Sequence, residues 1–458
     1  MMRFLLLNFR RTFTAFLAVW LLLCIAFEDG RADDRSSQKP QRIFRPADER
    51  PIRDDAKAAE LGIHKYESRR LVLYTDIDPA VAATLPPLID QAYDAWVGYF
   101  GELPPASDGS DFQITGYLMK DEKKFIEAGM QPEGFVMARF GRQIGRQFWM
   151  HDQHSDYYRR HLLIHEATHA FMTVTPHVLP PLWYLEGMAE YFATHTLDSA
   201  GRVTFGVMPQ STLDFPGLGR IEIIKQENHF QRLLTLPQLG ALTSAEFIKP
   251  RPVPYSWSWA LCSFLEQHPR YRERFHKLGQ NMEGPAFARL MTELFAEDRA
   301  LLAAEWTDYT RRLDYGYDVA ANVLVPREVR SFADKEPVEL TVSANRGWQS
   351  TGLRVPEGAE LEITSTGKVA LQQSAHPWTS EPQGITIDYA AGFPIGALLA
   401  GWQPEDNAAD VPPFEVTLIG TGTTLKIPRN AVLWLRVNAP GQGLKKNSGE
   451  YNVTIRRR

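Results

Sequence analysis

The chain has 458 residues, of which 44% are hydrophobic, and a net charge of −5. That length and apolar content are sufficient for two or three domains with cores of their own. The weak net charge and the dispersed basic residues do not indicate a nucleic-acid partner. Cys24 lies in the N-terminal segment and Cys262 is the only other cysteine, so we expect no internal disulfide in the mature protein.

The first 32 residues have the pattern of an export signal. Basic residues up to Arg11 precede an apolar run from Thr12 to Phe27, and Gly30 and Ala32 place small residues before a cleavage point. This pattern predicts a signal peptide over residues 1–32, with an uncleaved membrane anchor as the alternative. In both cases we expect an exported protein, periplasmic or extracellular, with membrane association only if this segment is retained.

Residues 33–60 are charged, contain prolines and lack apolar periodicity, which predicts a flexible linker. Between residues 61 and 317, strand and helix patterns mix, which predicts an α+β domain. Strands are expected at 71–74, 112–119 and 140–150, and helices at 79–100, 157–173, 236–242, 256–266, 271–279, 285–295 and 298–312.

The helix predicted over residues 157–173 contains the sequence HEATH, which is an H-E-x-x-H motif. Residues four apart lie on the same helix face, so His165 and His169 can offer nitrogen atoms to one metal ion. Glu166 then lies beside the open coordination position, where it can act as a general base. We interpret His151, His154 and His161 as structural or solvated, because they complete no further ligand pattern.

A third metal ligand is predicted in the sequence PPLWYLEGMAEYF, which begins at Pro180. Two prolines suit the start of a new helix, on which Glu186 and Glu190 share one face. Glu186 is the candidate ligand. A ligating histidine usually donates its second ring N–H to a carboxylate, so we expect Glu190 to support the site from behind His165.

Together, HEATH and LWYLEGMAEYF resemble the gluzincin branch of zinc metallopeptidases (peptidase MA-like). The resemblance implies one zinc ion per chain, a zincin-like fold and hydrolysis of a peptide or protein substrate. The G-x-M-E-N motif of the aminopeptidase members is absent, so the sequence leaves endopeptidase and exopeptidase action undecided. Such enzymes commonly use a Tyr or His to polarise the substrate carbonyl, and Tyr255 is the candidate here, with packing on the core as its alternative role.

From residue 338 the pattern changes to short alternating β segments separated by Gly, Pro and Asn turns. This pattern predicts an all-β sandwich over residues 338–458, joined to the preceding domain by a linker at 318–337. Because it would have a core of its own, we expect it to be separable and to direct the enzyme to a large or surface-attached substrate.

The sandwich resembles the galactose-specific bacterial lectins (LecA-type) in four segments, 347–353, 382–384, 396–399 and 447–453. That resemblance implies a calcium ion that holds sugar hydroxyls. Here Asn438 stands where the family has an Asp, and Lys446 stands where it has an Asn ligand. A lysine ammonium opposes cation binding, so we expect the fold without strong calcium or galactose binding.

The sequence therefore predicts an exported zinc metallopeptidase with a zincin-like domain and a C-terminal lectin-like sandwich. Zinc would be held by His165, His169 and Glu186, with Glu166 as the base. The alternative is a secreted carbohydrate- or surface-binding protein whose zincin domain is a non-catalytic scaffold. The presence of Glu166 favours catalysis, because a scaffold has no need of the base.

Overall fold

A computed structural model of the chain describes residues 44–47, 50–137, 141–175, 178–214, 219–250, 252–332, 336–372, 376–405 and 412–458. The predicted signal peptide over 1–32 and the linker residues 33–43 lie outside these ranges. Within them, none of the helices combines the length and the apolar character that a membrane crossing requires.

Helices dominate the chain up to residue 322, and most lie where the apolar spacing predicts them. They are Asp55–Glu60 (α1), Pro79–Ala82 (α2), Leu85–Phe100 (α3), Glu122–Glu127 (α4), Asp156–Met172 (α5), Leu182–Ala193 (α6), Arg220–His229 (α7), Leu236–Gly240 (α8), Ser244–Phe247 (α9), Val253–Gln267 (α10), Arg272–Gly279 (α11), Gly284–Phe295 (α12), Arg299–Arg312 (α13) and Val319–Asn322 (α14).

Several helical segments differ from the sequence expectation. The helix predicted over 79–100 is divided into α2 and α3, because Pro86 and Pro87 are tolerated only in the first turn of a helix. Residues 55–60, expected to belong to a flexible linker, form α1, which Asp54 caps by accepting a hydrogen bond from the Lys57 amide. The helices α4, α7 and α9 were not predicted.

The N-terminal sheet lies between two layers of helices. Its strands, in the order β1-β2-β3-β5-β4, are His64–Glu67 (β1), Leu71–Thr75 (β2), Ile114–Met119 (β3), Gly141–Ile144 (β4) and Gln147–His151 (β5). The strands β2, β3 and β5 are parallel, and β1 and β4 run antiparallel at the edges.

Side chains alternate between the two faces of this sheet, as the period of two in a strand requires. In β2, Leu71 and Leu73 belong to the large core shared with α3 and α5, whereas Val72 and Tyr74 pack in a smaller core with α1 and α4. The edge strand β4 lies beside α5, where Gly141 approaches Glu166. The chain is α+β, as predicted.

The C-terminal strands form two further sheets that share one apolar core. The remaining described strands are His195–Leu197 (β6), Val203–Phe205 (β7), Arg330–Ser331 (β8), Val338–Ser343 (β9), Gln349–Val355 (β10), Glu360–Leu371 (β11), Trp378–Ser380 (β12), Ile385–Ala390 (β13), Phe393–Ile395 (β14), Leu398–Pro404 (β15), Glu415–Leu418 (β16), Gly422–Lys426 (β17), Ala431–Val437 (β18) and Ser448–Arg457 (β19). One of the two sheets has the order β16-β15-β18-β10-β8, and the other has the order β12-β11-β19-β9, with β17 also paired to β11. The strands β6 and β7 form a separate hairpin, and so do β13 and β14.

Residues within the predicted linker over 318–337 pack against both parts of the chain. Residues 319–322 form α14, and Leu324 is buried. An apolar cluster connects α13 to the C-terminal sheets: Ala304 on α13 packs with Leu324, Trp348, Leu399, Phe414 and Trp434. Residues 44–458 accordingly form one compact unit, and the domain boundaries stay a prediction of the sequence.

Beside this apolar cluster lies a buried charged network. Arg436 on β18 is fully buried, and one of its guanidinium nitrogens lies 3.5 Å from Asp308 on α13. Its other terminal nitrogen donates to Asn322 Oδ1 at 2.7 Å. Asp308 also accepts from Arg312 Nε at 2.8 Å. These contacts hold the sandwich against α13 and α14, although Arg436 Nε has no hydrogen-bond partner among the described residues.

Asn438 stands where the lectin resemblance implies an Asp ligand for calcium, and here it is part of the same network. Its Oδ1 accepts from Arg312 Nη1 at 2.9 Å, and its amide nitrogen donates to the carbonyls of Ala390, Phe393 and Pro394. The side-chain oxygen that would face a cation is thus paired with a guanidinium. The weakness of calcium binding stays a prediction of the sequence.

Candidate metal centre

The predicted ligands come together where α5 packs against α6. The helix α5 begins at Asp156 because Ser155 accepts a hydrogen bond from the Tyr158 amide, and α6 follows Pro181. His165 Nε2 and His169 Nε2 lie 3.1 Å apart. Glu186 Oε2 lies 3.1 Å from His169 Nε2 and 3.4 Å from His165 Nε2.

These spacings fit a single zinc ion. Zinc bonds of about 2.0–2.1 Å at tetrahedral angles place neighbouring ligand atoms about 3.3 Å apart. The three atoms of His165, His169 and Glu186 lie within 4.8 Å of one another and form the one potential metal-binding group found among the described residues. Two imidazole nitrogens that face each other at 3.1 Å need a shared proton or cation between them.

Burial and charge both act on these groups. Burial disfavours the charged form of Glu186, but His169 and His165 outweigh it and lower the carboxyl pKa to about 2. Burial likewise opposes protonation of His165, yet Glu186 and Glu190 raise its pKa. An ionised Glu186 between two imidazoles favours a cation beside it, and a zinc ion bound to neutral imidazoles would supply that charge.

Glu190 lies on the far side of His165 from the other candidate ligands and contacts two further residues, His161 and Arg220. Its Oε1 is 3.4 Å from His165 Nδ1, within ion-pair distance, although His165 Nδ1 has no hydrogen-bond partner among the described residues. Its Oε2 is 3.1 Å from His161 Nε2. Arg220 donates to both oxygens. Burial opposes the charge on Glu190, but Arg220 and His161 lower its carboxyl pKa well below the usual value.

Glu166 is buried next to the three ligands, with 5% of its surface exposed. Burial raises its carboxyl pKa, which the neighbouring histidines oppose. The edge strand β4 runs against it: a Cβ atom at Gly141 would lie 2.2 Å from Glu166 Oε1. Only a glycine leaves room for the carboxylate at this point of the strand.

Tyr255, on α10, lies near His165 and Arg220. Its ring centroid is 6.2 Å from that of His165, and the Arg220 guanidinium is 6.0 Å from its ring centroid. Burial raises the pKa of the Tyr255 hydroxyl, and Glu186 raises it further. The hydroxyl therefore keeps its proton at neutral pH and is available as a hydrogen-bond donor.

All six predicted site residues thus lie in one region. Sequence reasoning missed Gly141 and Arg220, and it left His161 without a role. The position of His161 one turn before His165 is the only sequence signal that could have placed it on the same helix face. Nothing local to Arg220 or Gly141 indicates that they contact the carboxylates.

No protein family matches this sequence, and no curated protein is significantly similar to it. Among solved structures, the chain is similar to the EclA N-terminal domain, a PllA-like lectin, with a TM-score of 0.22 and 17% identity over 27% of this chain and 100% of that one. A second similar structure is the periplasmic inhibitor of g-type lysozyme, PliG, from Aeromonas hydrophila, with a TM-score of 0.16 and 6% identity over 27% of this chain and 85% of that one. With scores this low, the function proposed below rests on the site residues.

Proposed function

We propose that this chain is an exported, zinc-dependent metallopeptidase with a zincin-like domain and a C-terminal lectin-like sandwich. The observation that carries the proposal is the juxtaposition of three ligand atoms at zinc spacing with a buried carboxylate, Glu166, beside them. A non-catalytic scaffold has no need of a buried acid at that position, because burying a carboxylate is costly unless it is used or paired.

When bound, zinc acts as a Lewis acid on the substrate carbonyl and lowers the pKa of a water molecule toward about 7. The chain's own residues complete the reaction. Glu166 accepts the proton of the attacking water and delivers it to the departing amine nitrogen as the peptide bond breaks. Tyr255 donates its hydroxyl hydrogen to the oxygen of the attacked carbonyl, where negative charge develops.

The edge strand β4 supplies the substrate-binding surface of this proposal. It is the last strand in the order β1-β2-β3-β5-β4, so its outer edge pairs with no other described strand. An extended peptide can add to such an edge by main-chain hydrogen bonds. Because Gly141 contacts Glu166, a peptide bound along β4 would pass next to the base.

The test is cleavage of a peptide library by the purified mature chain, together with measurement of its metal content. We expect about one zinc per chain, hydrolysis at internal or terminal peptide bonds, loss of hydrolysis with a chelator and recovery with zinc. A zinc-loaded protein that cleaves nothing but binds glycans or cell surfaces would instead support the scaffold alternative.

Gly141→Ala is expected to lower kcat at least about 10-fold while zinc content stays unchanged. The added methyl group would overlap Glu166 Oε1 and displace the base, whereas the ligand atoms of His165 and His169 are not in its way. Gly98→Ala is the matched control, because Gly98 is exposed on α3 and a Cβ there meets no atom within 4 Å. Wild-type turnover in Gly141→Ala would contradict the placement of the base.

A further inference from the structure

Arg220, the first residue of α7, holds the carboxylate that lies behind the candidate zinc ligands. Its Nε donates to Glu190 Oε2 at 2.8 Å, and its Nη2 donates to Glu190 Oε1. Two parallel bonds of this kind fix the plane of a carboxylate as well as its position. Glu190 is only 2% exposed and the Arg220 side chain is 23% exposed, so water screens the pair weakly.

The orientation of Glu190 matters because it stands between two histidines of α5. Its Oε2 is 3.1 Å from His161 Nε2, and its Oε1 is 3.4 Å from His165 Nδ1. A partner on the second ring nitrogen of a ligating histidine usually sets the orientation of the ring, and Glu190 is the group that faces His165 Nδ1. A rotation of the carboxylate plane would therefore change the contact that orients the ring carrying a ligand atom.

The same guanidinium lies 6.0 Å from the ring centroid of Tyr255, at the outer limit of a cation–π contact. Arg220 thus borders both the carboxylate behind the metal ligands and the residue proposed to stabilise the substrate oxygen. It reaches this position from a segment 30 residues beyond Glu190 in the chain.

We propose that Arg220 is a positioning residue of the hydrolytic site, which acts through Glu190 on the ligand His165; this inference rests on the function proposed above. The competing role is structural, in which the ion pair only holds α7 against α5 and α6. The two roles differ in one respect. A structural ion pair changes the stability of the fold, whereas a positioning residue also changes the zinc affinity of protein that is folded.

A nearby ion pair provides a matched control. Arg232, just beyond the end of α7, donates from Nε and Nη2 to the two oxygens of Glu227 at 3.0 and 2.9 Å. Glu227 is buried, as Glu190 is, whereas the Arg232 side chain is 51% exposed. Among the described residues, Arg232 pairs with Glu227 and not with a predicted metal ligand. Arg232→Gln therefore removes the same kind of interaction from the same region without reaching the site.

The experiment measures the zinc dissociation constant of the full mature chain, by competition with a chromophoric chelator, for the wild type, Arg220→Gln, Arg220→Lys and Arg232→Gln. Arg220→Gln is expected to bind zinc about 10- to 100-fold more weakly, as substitutions behind a metal ligand usually do. Arg220→Lys keeps the charge but loses the paired bonds, so its affinity should lie between those of Arg220→Gln and the wild type. Arg232→Gln should match the wild type. Steady-state kinetics should show the loss in kcat with KM little changed.

A double variant tests the route through Glu190. If Arg220 acts through this carboxylate, adding Arg220→Gln to Glu190→Gln should change zinc affinity less than about 3-fold, because the interaction is already lost. Independent, multiplying losses would overturn the inference, and so would wild-type zinc affinity in folded Arg220→Gln. If Arg220→Gln does not fold, Arg220→Lys decides, and wild-type affinity in that variant overturns the inference. Absence of zinc binding by the wild type would instead overturn the proposed function.

Discussion

Glu166→Gln is expected to abolish peptide hydrolysis while about one zinc stays bound per chain. The amide keeps the size of the side chain but cannot accept the proton of the attacking water, a contribution usually worth about 10²- to 10⁴-fold in rate. The three ligand atoms belong to other residues, so the metal should remain. Glu127→Gln, an exposed substitution on α4, is the control and should leave both measurements unchanged.

His165→Ala and His169→Ala are expected to give the opposite result, with loss of metal. Each removes one of three protein ligands and leaves the site with two. His154→Ala is the control, because His154 is exposed and precedes α5. Metal content measured by elemental analysis after dialysis separates the roles. Full zinc occupancy in the His165→Ala, His169→Ala double variant would exclude this site.

The centre could be predicted because its information is local in the sequence. His165, Glu166 and His169 lie within one helical turn, and Glu186 and Glu190 lie on one face of the next helix. Helix periodicity alone places such residues together. The packing of α5 against α6 then needs only the short connection between them.

The supporting residues Arg220 and Gly141 could not be predicted, because their contacts join residues that are far apart in the sequence. Arg220 meets Glu190 across 30 residues, and α7 begins at a glycine cap without a capping side chain, so neither the contact nor the helix has a local signal. Gly141 reaches Glu166 only because β4 lies at the sheet edge beside α5.

In the sandwich, too, local patterns could be predicted from the sequence and long-range contacts could not. Alternation along single strands indicates β structure, and the strands β9 to β19 lie within the predicted range 338–458. Arg436 belongs to one of these strands, β18, and its side chain is buried against Asp308, a residue 128 positions earlier. Such a contact depends on how the two parts of the chain pack together, and no sequence pattern within either part predicts it.

Arg436→Met is therefore expected to destabilise the full chain by about 1–3 kcal/mol, because it leaves the buried Asn322 Oδ1 without its donor while Asp308 keeps its ion pair with Arg312. Arg354→Met is the matched control: Arg354 pairs with Glu405 at the surface, with 48% of its side chain exposed, so its loss should cost less than about 1 kcal/mol. Urea denaturation of the two variants and the wild type measures the difference.

Removal of residues 338–458 should have a larger effect than either substitution. The sequence alone suggested that a truncated chain would still hydrolyse short peptides. The structure changes that expectation, because truncation would expose Ala304 and Leu324 and leave Asp308 and Arg312 without their partners across the interface. We expect the truncated chain to aggregate or to lose hydrolysis of short peptides even with zinc supplied. Two results together would contradict this expectation: a truncated chain that stays monomeric, folded and fully active, and an Arg436→Met variant that is no less stable than Arg354→Met. The interface would then be dispensable, and the sandwich would be an independent targeting domain.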